Sequence, residues 1–254
     1  VSARIATVKK ILLIVAGLVL VAVGASFVYA TYINKADAPL SQSDVDQRLD
    51  ATTTTGTGTT GSTTGPTAGS TTGSTTAPTA GNGVDGAWKI GSGSEVGYRV
   101  KETINGFATE ANGRSTGVTG SLTIVGTSAN AADFTVDMTT FSSDQSRRDS
   151  QFNNRIMQVA QFPTATFRLT DPIDFGAIPA AGQKVTVKAV GDLTLHGVTR
   201  PVAFSLDATF KNGKIGILGR IPILFADYGI TNPSFATIST EDNGQLEFVL
   251  ILTR

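Results

Sequence analysis

Few residues of this 254-residue chain have the type and setting to do chemistry. His196 is the single histidine, so a metal site built on several imidazoles is excluded, and no serine or carboxylate around it stands in a nucleophile motif. It reads as a turn histidine with local hydrogen bonds, able to donate to the polar end of a ligand. Arg147 and Arg148 stand side by side before Asp149. Two adjacent guanidinium forks suit a pyrophosphate, whereas Asp149 suits a helix N-terminus, where it can accept backbone donors. Arg114, in the turn Asn112-Gly113-Arg114-Ser115, has the same two readings, and Asp227-Tyr228 reads as the end of a strand. Cysteine is absent, which removes disulfides, thiolate metal sites and cysteine nucleophiles. With 20 basic against 20 acidic residues, the chain has no basic footprint for nucleic acid. No catalytic residue, metal or cofactor is assigned, and an enzyme is not expected.

The elements that must position these groups are strands. Val185, Val187, Ala189, Gly191, Leu193 and Leu195 recur at period two, and Val202, Phe204, Leu206, Ala208 and Phe210 do so after them, which predicts a hairpin with one buried face. His196-Gly197 supplies the positive φ of its turn, and Pro201, lacking a ladder donor, belongs at the start of the returning strand. Further strands are expected at Trp88–Ile90, Val96–Val100, Val118–Val125, Phe134–Met138, Ala165–Leu169, Lys214–Phe225 and Leu246–Leu252. Ser146 to Phe162 breaks the pattern: Phe152, Ile156 and Val159 lie at helical spacing, Ser146 and Asp149 offer a weak capping box, and Pro163 ends the run. It predicts a short helical excursion, broken near Asn153-Asn154, that caps one end of an antiparallel sandwich or barrel.

The hairpin run Gly-Asp-Leu-Thr-Leu-His-Gly-Val-Thr-Arg-Pro-Val (191–202) resembles the central signature of the YceI-like domain family, secreted or periplasmic lipocalin-like barrels that bind polyisoprenoids. Trp88-Lys89-Ile90, Ser94 to Tyr98, Val118 to Leu122, Arg148-Asp149, Phe162 to Phe167 and Asp227 to Ile230 fall in the order of that family. The resemblance covers roughly residues 84 to 254. It implies a mainly β fold, an antiparallel lipocalin-like barrel of about eight strands with an apolar ligand inside. The ligand-binding candidates are then Tyr98, Arg114, Arg147, Arg148, Val187, Leu193, His196, Phe204 and Ile217. Two polar positions of many members are missing: Gly93 stands where they have a histidine before Ser94, and Phe225 where they have an arginine two residues before Asp227. This implies a more apolar cavity, or one that uses Arg114, Arg147 and His196 instead.

The N-terminal third differs in texture. Ile11 to Ala30 is 20 residues without a charge, the length a helix needs to cross about 30 Å of hydrocarbon. It exceeds the roughly 7–15 residues of a signal-peptide core, so an uncleaved anchor is expected. Arg4, Lys9 and Lys10 precede it and Lys35 follows, which puts residues 1–10 in the cytoplasm, an anchor at 11–33 and the rest outside the cell membrane. Residues 51–81 contain only Thr, Gly, Ser, Ala and Pro and have nothing to bury, so 34–83 is expected to be a disordered linker before a barrel domain at 84–254, with the polar Asp37–Asp50 able to form a short helix of no assigned function. The function expected is a membrane-tethered barrel binding a polyisoprenoid or isoprenoid quinone for sequestration or transport. The alternative is an envelope structural or adhesion domain with a packed barrel. The partners are that lipid and the membrane, with no nucleic acid; a homodimer is compatible with the sequence.

Overall fold

The computed structural model describes residues 2–29, 36–51 and 83–254, with side chains from 13 onward. The expected cytoplasmic segment 1–10 has no described side chains, and the Thr/Gly-rich stretch 52–82 lies outside the described residues.

Eight strand paths close into an antiparallel barrel. β4 (Val118–Val125), β5 (Ser128–Asp137), β6 (Thr164–Leu169), β8 (Lys184–Leu195), β9 (Val198–Lys211), β10 (Lys214–Leu224) and β12 (Asn243–Thr253) follow one another around the wall, and β1 (Gly86–Ile90) closes it by pairing with both β4 and β12. β2 (Glu95–Ile104) continues the line of β1 along β12, and β3 (Phe107–Ser115) returns beside β2. Two short strands, β7 (Ile173–Asp174) and β11 (Ile238–Thr240), pair with β5 and β2. Closure leaves no sheet edge free along most of the wall.

Three two-residue turns join hairpins with positive φ at both positions: Asn105-Gly106, His196-Gly197 and Asn212-Gly213. These are the mirror-image turns whose twist suits paired strands. The expected His196-Gly197 turn is therefore present, whereas β3, β7 and β11 have no counterpart in the expected strands. We call the end carrying the Asn105 and His196 turns upper, and the end carrying the Gly126 and Asn212 turns lower.

At the upper end lies the helical excursion, α3 (Ser146–Gln151), which runs on into a π-helical turn at Phe152–Ile156. The break expected near Asn153-Asn154 is this widening. The cap expected at Ser146 falls on Gln145 and makes no side-chain cap hydrogen bond. Asp149 accepts instead from the Ser143 hydroxyl at 2.7 Å.

Residues 36–51, expected to be linker, are a strap fixed to the outer wall. Ser41 starts α2 (Gln42–Asp50), and the Asp44 carboxylate accepts from the Ser41 N–H at 2.8 Å. Val45 and Leu49, four residues apart, put one face of α2 with Leu40 against Leu218, Val249 and Ile251. Beneath the strap Glu247 is 0% exposed, 2.6 Å from Arg114 Nη1 and 3.3 Å from Arg99 Nη2, and its other oxygen accepts from Leu40 N–H at 3.0 Å. Arg99 donates to the Asp37 carbonyl at 2.6 Å, Arg114 to that of Ala38 at 3.0 Å, and Arg220 to that of Leu40. At the other end Lys211 and Lys214 hold Asp50 and the Ala51 carbonyl. Breaking one partner of such a buried ion pair costs about 3–5 kcal/mol. The strap runs from mid-wall to the lower end, where the chain also returns, with Arg254 donating to the carbonyls of Gly83 and Asp85.

α1 (Ser2–Val28) precedes the strap. Among the described residues no helix is long and apolar enough to cross a membrane. The expected transmembrane anchor over 11–33 is therefore not supported among the described residues, and its end, 30–33, lies outside them.

A two-chambered apolar cavity as the candidate functional site

Alternation along the strands decides what faces the bore. Side chains of β8 at 185, 187, 189, 193 and 195 line an inner chamber of about 200 Å³, together with Phe204 of the neighbouring β9 and Ile217 of β10. The bore stays open because large rings lie flat against small neighbours. Phe248 covers Gly219, directly opposite it in register, where an added Cβ would come within 2.2 Å of the ring. Phe167, diagonal to Gly191 on the neighbouring strand, covers that glycine, where an added Cβ would lie 2.5 Å from the ring. Phe204 meets both rings edge-on, at 5.5 Å and 6.0 Å between centroids.

A second chamber of about 350 Å³ occupies the upper end. Met138, Phe141, Leu195 and Leu246 border both spaces. At this boundary Tyr98 stacks on Phe152 at 4.8 Å, with Phe141 tilted against both rings. The outer chamber holds the polar groups: Glu102, Arg147 and Arg148 line it beside Tyr98, Phe225 and Phe235. Arg148 pairs with Asp144. Burial pushes the Tyr98 phenol above its ordinary value, and nearby Arg148 only partly offsets this. Burial likewise raises the Glu102 carboxyl above 4.5, opposed by Arg148 and reinforced by Asp144.

Of the residues expected at a ligand, Val187, Leu193, Phe204 and Ile217 line the inner chamber, and Tyr98, Arg147 and Arg148 the outer one. Arg114 does not join them. It faces outward on β3, where Glu247 and the strap hold it. Its neighbour Gly113 faces the bore under the Tyr98 ring, so the alternation of β3 decides the matter. His196 lines neither chamber: its Nδ1 lies 3.1 Å from the Tyr228 carbonyl and its ring packs on Phe162 at 4.5 Å, as a turn histidine would. Phe225 is buried and lines the outer chamber. Gly93 lies on the lower outer wall, where its carbonyl accepts from Arg48 of the strap at 2.9 Å.

Sequence reasoning missed Glu102 and Phe141 at the site, and no pattern in their surroundings marks them. Phe152 carried a signal, its helical spacing with Ile156. Among the described residues no group of three or more His, Asp or Glu could hold a metal ion.

Comparison with known proteins agrees with this architecture. A solved polyisoprenoid binding domain from Saccharophagus degradans, implicated in plant cell wall breakdown, superposes with a TM-score of 0.53 at 18% identity, over 65% of this chain and 97% of that one. Burkholderia cenocepacia BcnA follows at 0.49 and 19%, over 62% and 95%. In sequence, a UPF0312 protein of Pseudomonas putida strain W619 is 35% identical over 123 residues, 44% of this chain and 59% of that protein. A UPF0312 protein of Pseudomonas savastanoi pv. phaseolicola is 33% identical over 99 residues, 35% and 47% respectively. The chain thus spans about half the length of the curated relatives it matches. The model of the YceI-like domain matches residues 88–252, from the Trp88 strand to the end of β12, and on that match this chain belongs to the YceI-like domain family.

Proposed function

We propose that this protein is a membrane-associated, extracytoplasmic barrel that holds a polyisoprenoid or isoprenoid quinone for sequestration or transport. The observation that carries the reading is the graded cavity. An inner chamber walled by apolar side chains adjoins an outer one at the upper end that carries the polar groups Glu102, Arg147 and Arg148. Apolar burial at roughly 25 cal/mol per Å² can hold a long chain without polar contacts, while Arg147, Arg148 and Tyr98 stand where a more polar head would come to rest. The Saccharophagus neighbour, described as a polyisoprenoid binding domain, supports the same ligand class. Binding rather than catalysis is the chemistry this arrangement suits. The cavity closes within one chain, so a second copy is not required. α1 would provide the membrane association, through apolar side chains that face away from the barrel.

The test is titration of the lipid-stripped protein with isoprenoid quinones and polyprenyl phosphates of several lengths, compared with a fatty acid, together with native mass spectrometry of the protein as purified. Saturable binding that strengthens with isoprenoid length is expected. Absence of saturable binding to every isoprenoid, in folded protein, would instead favour a structural barrel.

A further inference from the structure

The route from α1 to the barrel is short. Asp37 is clamped, its carbonyl by Arg99 and its carboxylate by Asn112 at 3.2 Å. Only residues 30–36 therefore separate Tyr29 from fixed backbone, and seven residues reach at most about 25 Å. The 31 residues 52–82 leave Ala51 and return to Gly83, both held at the lower end, so they add nothing to that reach.

α1 also touches the upper rim. Asn105 Nδ2 donates to the Ser26 hydroxyl at 3.0 Å, the rings of Phe27 and Phe107 meet edge-on at 5.5 Å, and Tyr29 lines the outer chamber. From Leu13 to Tyr29 the helix carries no charge, and Leu13, Leu18, Leu20 and Val21 are well exposed. The rim continues this apolar surface: Phe235 is 58% exposed and Leu224 54%. Arg155 sits 5.9 Å over the Phe235 ring and donates to the Pro233 carbonyl. Aromatic rings with a cation beside them are the groups that settle at a membrane–water interface.

We propose that the upper rim seats on a lipid bilayer, with α1 in the lipid, so that the outer chamber opens directly into the headgroup layer. The proposal rests on the membrane association of α1 proposed above. A lipid could then pass between bilayer and barrel without crossing water, which no lower-end opening would allow. The strap makes this possible, because it turns what would be a long leash into a short one.

The chain has no cysteine, so single labelling sites can be introduced in this 254-residue chain. A fluorophore on Phe235→Cys, and independently on Leu224→Cys, is placed in phosphatidylcholine vesicles containing brominated lipid. A label on Ile178→Cys reports the lower end. Both rim labels are expected to lose most of their emission to the quencher and the lower label to keep it. A Gly/Ser spacer of about 30 residues inserted between Tyr29 and Ala36, adding roughly 30 Å of average reach, should restore rim emission. Shortening 52–82 by about half should leave the quenching unchanged. Unquenched rim labels on protein that co-floats with vesicles would overturn the seating while leaving membrane association standing. Failure to co-float would remove membrane association and the seating with it, and isoprenoid titration would show whether the cavity reading survives.

Discussion

A single methyl group at Gly216 tests whether the strap sits on the barrel wall as described. Gly216 lies in β10, paired with Thr209 and Ile251, and its Cβ would stand 2.5 Å from Val45 Cγ1 and 3.0 Å from Leu49 Cδ1. Ordinary carbon contacts are about 3.5–4.0 Å, so Gly216→Ala overpacks the strap interface at a cost of about 1–3 kcal/mol. Val45→Ala removes two buried methyl groups, about 0.8 kcal/mol each, and with the space left behind costs about 2 kcal/mol. Independent effects would sum to about 3–5 kcal/mol. Because the added methyl enters the space that Val45 vacates, the double variant should lose only about 1–2 kcal/mol, a coupling of about 1–3 kcal/mol. Urea unfolding of the four proteins, followed by far-UV circular dichroism and by Trp88 fluorescence, measures each value, with equal slopes confirming a common transition. Additivity within about 0.5 kcal/mol would mean that α2 does not rest on Gly216, and would return residues 36–51 to the linker.

Gly219→Ala should drive the Phe248 ring into the bore, since its Cβ would lie 2.2 Å from that ring. Losing about 55 Å² of ligand burial at 25 cal/mol per Å² weakens isoprenoid binding roughly tenfold, and unchanged affinity by titration would refute the ring's role as a wall. His196→Ala should leave that affinity unaltered while costing about 1 kcal/mol of stability from the lost hydrogen bond; His196→Gly should cost less, since glycine adopts the φ of +50° without strain, and binding loss in either would bring the imidazole back to the ligand. Glu102 has a carboxyl raised above 4.5 by burial, so its protonated form favours the folded state. Its contribution is present below that value and is lost as pH rises through the raised one. Glu102→Gln should therefore flatten the decline in unfolding midpoint above about pH 4.5, and parallel profiles for the two proteins would show the group to be solvated.

The barrel was legible because its strands alternate. Val185 to Leu195 and Val202 to Phe210 announce their buried faces residue by residue, and the same alternation placed Val187, Leu193, Phe204 and Ile217 in the cavity. Asn105-Gly106 carried a strong hairpin signal, but the flanking Glu102-Thr103 and Thr109-Glu110 are polar on both faces, so β3 gave no period to read. Without β3 in register, Arg114 could not be assigned to the outside. The strap was hidden for a different reason. Asp37–Asp50 could be read as a short polar helix, but Leu40, Val45 and Leu49 are too few to announce its docking, because α2 buries its face on a wall that already exists. The wall did carry the complementary signal. Phe248 to Leu252 is apolar without interruption, a mark of burial on both faces of a strand; Val249 and Ile251 face the strap while Leu250 and Leu252 face the core.

The fixed flanks at Ala51 and Gly83 also bear on how this protein tolerates change in length. Between two anchored points, doubling a connecting segment costs only about 0.6 kcal/mol of closure entropy. A change of length between Ala51 and Gly83 should therefore cost little, while even one residue gained between Asp37 and Leu40 would pull Arg99, Arg114 and Arg220 out of step with their carbonyls. The same asymmetry makes 52–82 the place to graft a guest domain. A guest there would join the barrel at Ala51 and Gly83, both held at the lower end.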